Sequence, residues 1–177
     1  MIDELKHRNI KFYPAYVSRA HERTQVLQKL LKDGVIGDKI MNVKYTQVGS
    51  SLARGLDDNG SKSISDIPWR LNAKYSGGGL IMDMGCHVLD RIDYLFGPLL
   101  NVKSTVLRKG NGSESYPLVE DYVTMTGIIG KCSWSSVKSD GASVECTWDF
   151  SPPNENESKE EIDELIITGN QSVSPLP

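Results

Sequence analysis

The sequence predicts an α+β domain: a largely antiparallel, mixed β-sheet with helices on one face. Three observations predict it. Two amphipathic helical stretches, 19–33 and roughly 79–96, each run into a glycine stop. Between them, residues 40–48 alternate with a period of two. After the second helix the pattern changes to short runs rich in β-branched and aromatic residues, separated by Gly, Asn and Pro. Helices gathered early and strands late favour segregated layers over alternating βαβ units.

In chain order, Lys11 to Val17 is predicted as a short strand. Arg19 to Asp33 follows as a helix with Ser18 as N-cap, Ala20, Leu27, Leu30 and Leu31 facing inward, and Gly34 as its stop. Ile40 to Val48 is a strand whose clearer apolar face carries Met41, Val43, Tyr45 and Gln47. Residues 50–66, polar and rich in Gly, Ser and Asp, are predicted as a loop near the functional site. Ser76-Gly77-Gly78-Gly79 then feeds a helix of about four turns that stops at Gly97-Pro98. The expected strands are Leu100–Leu107, Tyr122–Ile129, Cys132–Val137, Val144–Phe150 and Leu165–Thr168, with Gly130-Lys131 as a tight hairpin. Ser151 to Glu164, rich in acidic side chains with two prolines and two asparagines, is expected to be a solvated loop.

Composition narrows the functional class. With 177 residues, 38% hydrophobic content and a net charge of −3, the chain is long enough for one domain with a real core. No basic run or basic-aromatic alternation points to nucleic acid. No apolar stretch approaches the roughly 18 residues of a membrane span. Cys86, Cys132 and Cys146 lack Cys-x-x-Cys spacing and a nearby histidine cluster, so they imply no metal and read as small apolar residues in a reducing, cytoplasmic setting.

The chemistry-bearing segment is the second of these helices, over roughly 79–96. On a helical wheel Asp83, His87, Asp90 and Tyr94 share one stripe, while Ile81, Gly85, Val88, Leu89, Ile92, Leu95 and Phe96 take the other side. A carboxylate and an imidazole four residues apart can hydrogen-bond, and a carboxylate can fix the imidazole's tautomer. An imidazole, whose ordinary pKa is about 6.5, suits proton exchange at neutral pH. The same pair also occurs as a structural ion pair on ordinary amphipathic helices. The glycine-started helix permits phosphate binding as well, though the Lys-Ser/Thr of a P-loop does not follow it.

These residues resemble a known family, the oxidoreductases grouped around glucose-fructose oxidoreductase, inositol dehydrogenase and MocA. Trp69-Arg70, Ser76-Gly77-Gly78-Gly79, Asp83, Gly85, His87 and Asp90 are similar to its C-terminal-domain signature. Tyr16, Arg19 and the stretch Leu30 to Gly37 resemble its strand, helix and Gly-x-Ile-Gly turn, and Glu120-Asp121 opens a matching strand. The resemblance implies a dihydrodipicolinate-reductase-like α+β domain in an NAD(P)-dependent enzyme that moves a hydride to or from the CH–OH carbon of a sugar, cyclitol or related small molecule. It implies His87 and Asp83 as the catalytic proton-handling groups and Trp69, Arg70, Tyr16 and Arg19 as the substrate wall.

The family's Gly-x-Gly-x-x-Gly turn after a first strand is absent, as is its Glu-Lys-Pro motif. The expectation is therefore that residues 1–9 represent the last helix of a missing Rossmann domain. Residues 10–177 would form the substrate-binding and oligomerisation domain, cut short at its C-terminal end. NAD or NADP would belong to the complete protein, with none bound by this chain alone. The expected partners are a polyol or sugar and a second copy packed on the open sheet face, with no nucleic acid and no membrane. The competing expectation is a non-catalytic binding or oligomerisation module that keeps the fold.

Overall fold

The computed structural model describes residues 2–49, 69, 73–79, 81–108, 119–133, 138–151 and 159–171. Its elements are α1 (Ile2–His7), a 3-10 turn (Val17–Ala20), α2 (Glu22–Lys32), β1 (Ile40–Val48), α3 (Ala73–Ser76), a π-helical turn (Ile81–Gly85), α4 (Cys86–Phe96), β2 (Leu99–Leu107), β3 (Tyr122–Ile129), β4 (Ser143–Asp149) and β5 (Ile162–Gly169). The five strands form one sheet in the order β2-β3-β4-β1-β5. Only β1 and β4 run parallel; the other three pairings are antiparallel. This is the predicted α+β class.

The register explains why one face is greasy. Ile167, Val43, Val144 and Gly127 lie in one row across β5, β1, β4 and β3, and Leu165, Tyr45, Cys146 and Met125 in the next. A third row, Asp163, Gln47, Trp148 and Val123, turns polar towards β5. Ile92, Leu95 and Phe96 of α4 are wholly buried in the same core as these rows, each contributing about 1.5–3 kcal/mol of transfer free energy. The opposite face carries Thr46, Thr147, Thr124 and Thr105 in a row, and Lys44 opposite Glu145.

Gly97 stops α4 at φ 127°, a conformation closed to other L residues. A side chain there would also strike Cys132 and the Gly130 carbonyl. Gly34 follows α2 as predicted, and β1 has its predicted bounds.

Several expectations need correction. Lys11 to Val17 is not a strand: the amides of Tyr16 and Val17 turn back onto the carbonyls of Pro14 and Ala15, as in γ-turns. The 3-10 turn takes residues 17–20, so α2 starts at Glu22 after His21, and Ser18 is not its cap. Leu31 is buried and Leu27 packs on the core, but Ala20 and Leu30 face solvent because the late start rotates the inward stripe. In β1, Ile40 is buried and Met41 exposed, since the register shifts between Ile40 and Asn42.

Gly130-Lys131 is not a hairpin. The Gly130 amide donates to Pro98 and the Ile129 amide to Ala142, and Cys132 and Ser133 are irregular. β5 begins at Ile162, so the acidic segment is shorter than its composition implies. Asp149 accepts a hydrogen bond from the Ser151 amide and from Lys159 Nζ at 2.6 Å, which ties down both ends of that segment. The loop predicted over 50–66 and residues 134–137 lie outside the described residues.

Candidate functional site

The glycine turn and the helix it feeds do different work. Gly79 donates its amide to both carboxylate oxygens of Glu120, each at 2.8 Å. Glu120 is held in place because the next residue, Asp121, donates its amide to Leu107 and accepts that of Phe150. A Cβ on Gly79 would sit 2.7 Å from the Glu120 carbonyl oxygen, so glycine is required by close backbone approach. An internal carboxylate therefore occupies the Gly79 amide, where the anion-binding reading would place a phosphate. Glu120 was legible only as the opening of a strand; no local pattern signals a partner 41 residues away.

Next comes the π-helical turn with Asp83, a feature that recurs at functional sites, and then α4 with His87. The His87 ring lies edge-on to Tyr16, centroids 5.9 Å apart and planes at 81°. His87 Nδ1 is buried and has no hydrogen-bond partner, so the expected orienting bond from Asp83 is not formed at that nitrogen.

The rest of the predicted stripe forms a closed set with the 3-10 turn. Arg19 grips Asp90 with two nitrogens, Nε lying 2.9 Å from Oδ2, and its guanidinium carbon is 5.2 Å from the Tyr94 ring centroid and 5.9 Å from that of Tyr16. The Asp90 hydrogen bonds push the Arg19 pKa up. The structure thus brings Tyr16, Arg19, His87, Asp90 and Tyr94 together. Trp69 is exposed, and Arg70 lies outside the described residues.

His87 also lines a cavity of about 250 Å³ between α4, the start of α2 and the β1–β5 edge of the sheet. Its walls include His21, Arg23, Gln47, Arg91 and Asp163. Two neighbouring cavities, of about 220 and 400 Å³, share Arg91 and Asp163 or Gln47 and Asp163 with it, so the three line up along one groove-like wall. Three buried polar atoms without partners belong to residues on this wall: His87 Nδ1, Arg91 Nε and Gln47 Oε1. Buried polar atoms are nearly always paired, so three unpaired ones on a single wall set this cavity apart as the candidate site.

Arg91 and Gln47 escaped the sequence reading. Arg91 falls on the wheel between the polar stripe and the apolar side, and Gln47 reads as an ordinary strand residue. The signal available in retrospect is a charged residue one helical turn after His87, on the edge that leads into the apolar side. Among the described residues no group of three His, Cys, Asp or Glu side chains could hold a metal, and no helix is long and apolar enough to cross a membrane.

A histidine-bearing helix laid over a mixed sheet, facing a polar cavity, defines the class as an α+β domain. Residues 24–158 match the family profile described as GFO/IDH/MocA C-terminal domain. The chain belongs to that family. It is 24% identical over 174 residues to Oxidoreductase P35 of Formosa agariphila, which covers 97% of this chain and 44% of that protein. It is 26% identical over 106 residues to levoglucosan dehydrogenase of Pseudarthrobacter phenanthrenivorans, covering 60% of this chain and 25% of that protein. Among solved structures, a levoglucosan dehydrogenase in complex with NADH and levoglucosan superposes with a TM-score of 0.64 at 22% identity, covering 94% of this chain and 40% of that one. The chain thus spans less than half the length of the curated relatives it matches.

Proposed function

We propose that this chain is the substrate-binding and proton-transfer domain of an NAD(P)-dependent oxidoreductase acting on the CH–OH group of a sugar, cyclitol or related small molecule, inactive without a cofactor-binding domain. The observation that carries the reading is His87: a cavity-facing imidazole with a buried, unpartnered nitrogen, in a chain of the GFO/IDH/MocA family. A relative named for levoglucosan oxidation supports the substrate class.

The Gly79 amide, at the glycine-started helix that could receive a phosphate, is held by Glu120 instead. The cofactor is accordingly assigned to the complete protein, where its nicotinamide supplies the hydride acceptor. On this chain, the His87 imidazole accepts the hydroxyl proton as the carbon gives up hydride, and returns it in the reverse direction. Asp83 acts as the positioning residue for His87; catalytic hydrogen bonds are commonly unformed in an empty site. Tyr16, edge-on to His87, forms the substrate wall with Trp69 and Arg70, and Arg19 braces Tyr16.

Two further assignments belong to the same proposal. The threonine-rich open face of the sheet packs on a second copy of the chain. α1, none of whose residues is buried, belongs to the cofactor-binding unit. The free thiols of Cys86 and Cys146 suit a cytoplasmic protein.

The test is made on the full-length protein carrying this domain. His87→Ala should lower kcat by about 100-fold or more with little change in cofactor affinity, and Asp83→Asn should displace the pH profile of kcat/KM. Turnover within about threefold of wild type in His87→Ala would favour the non-catalytic module instead.

A further inference from the structure

The groove wall holds two guanidinium groups with no carboxylate partner among the described residues, Arg91 and Arg23. Arg91 is only 8% exposed, its Nε is buried without a hydrogen bond, and its guanidinium carbon lies 5.9 Å from the centre of the Tyr45 ring. Arg23 lies on the same wall, at the start of α2. The acid within reach, Asp163, accepts the Tyr45 hydroxyl at 2.9 Å instead of bridging either arginine. His21 and His87 complete the lining. Arg19, a few residues away, has Asp90 as a bidentate partner, so the lack of one at Arg91 and Arg23 is local to the groove.

Burying a guanidinium without a partner is costly, and a second positive charge beside it adds to the cost. Both effects act on Arg91: burial, then the charge of Arg23, push its pKa down. A planar fork of donors is the usual receiver of a carboxylate or phosphate. Asp163 offsets part of this cost through its charge but forms no hydrogen bond to either guanidinium, so the donors of Arg91 and Arg23 are left for an anion from outside the fold.

We infer that the groove beside His87 is an oxyanion subsite, in which Arg91 and Arg23 hold the carboxylate or phosphate of a polyol substrate. This rests on the proposed dehydrogenase reading and narrows its substrate class to sugar acids or sugar phosphates. Arg91 follows His87 by four residues on α4, about 6 Å along the helix axis. The oxidised hydroxyl thus lies a few bonds from the anionic group.

The 177-residue chain can be titrated calorimetrically with D-gluconate, D-glucose 6-phosphate and neutral D-sorbitol. At least one of the two anions should bind ten times or more tightly than sorbitol; gluconate alone identifies a carboxylate subsite, and glucose 6-phosphate alone a phosphate subsite. Arg91→Met should weaken that binding at least tenfold and Arg23→Gln at least threefold, while Arg8→Gln, far along the chain on the α1 side, should leave it unchanged. Because Arg23 is exposed, its variant keeps the test decisive even if Arg91→Met folds poorly. Equal affinity for sorbitol, native affinity in Arg23→Gln, or binding of inorganic phosphate or acetate as tight as that of the polyol anions would overturn the inference. Loss of anion binding with His87 still essential for turnover sinks the subsite alone, and retained anion binding with His87 dispensable sinks the dehydrogenase reading alone.

Discussion

The glycine turn before α4 and the groove that α4 lines with α2, β1 and β5 treat polar groups in opposite ways. At the turn the Gly79 amide meets a carboxylate from the same chain, Glu120, with both oxygens in range. In the groove His87, Arg91 and Gln47 each keep a buried polar atom unpaired. A polar group satisfied from within the fold stabilises it, whereas one left open costs stability until a ligand arrives. The lesson is that the Gly79 of the most motif-like stretch of the sequence is structural, and the proposed reactive groups sit a turn and more further on.

The sharpest way to break this contrast is Gly79→Ala. The new methyl would sit 2.7 Å from the Glu120 carbonyl oxygen and 3.0 Å from the Val119 Cβ, so the turn must move and the Glu120 contact must loosen. Overpacking and a lost charge-assisted hydrogen bond together predict a loss of about 3 kcal/mol, measured by urea denaturation. A loss under about 1 kcal/mol would mean that the turn is free to adjust and that its glycines serve something other than packing.

Asp149 probes the paired class at a second place. Burial pushes its pKa up, but hydrogen bonds from Lys159 and Ser151 outweigh it and hold the carboxyl below its ordinary value. Both partners of the Asp149–Lys159 pair are mostly shielded, at 21% and 15% side-chain exposure. A depressed folded pKa means that the stabilisation is present above the unfolded pKa of about 3.9 and is lost as pH falls through the folded value. Asp149→Asn should therefore cost about 1–2 kcal/mol at pH 7, and the two proteins should converge below pH 3 or so. A gap that persists undiminished in acid would assign the effect to packing.

What was legible in the sequence follows from range. Helix stops at Gly34 and Gly97, the period-two strand at 40–48, and the α4 stripe of Val88, Ile92, Leu95 and Phe96 are written in neighbours a few residues apart, and they appear in the structure as expected. The parallel pairing of β1 with β4 and the grip of Glu120 on Gly79 join residues far apart in sequence, which no local period encodes. At the site, His87 stood out because an imidazole beside a carboxylate is a local pattern. Arg91 did not, because its meaning depends on what it fails to meet after folding. The proposed strand at Lys11–Val17 failed for a related reason: extended residues become a strand only when another strand pairs with them.

The smallest expected effect tests the groove from the side of stability. In the ligand-free chain Arg91→Met exchanges a buried, unpartnered cation for an apolar side chain of similar length. The lost contact is one guanidinium over the Tyr45 ring, worth about 0.5–2 kcal/mol. The relieved costs are desolvation and repulsion from Arg23, which in comparable replacements run to about 1–4 kcal/mol. The balance predicts a chain as stable as wild type or more stable by up to about 2 kcal/mol, readable as an unchanged or raised urea midpoint. A polar residue whose removal stabilises the protein while weakening its anion binding is held for the ligand, and Gly79→Ala, which should destabilise the fold, supplies the matching control. If Arg91→Met instead cost 2 kcal/mol or more, the guanidinium would be serving the fold, and the two regions would no longer differ in kind.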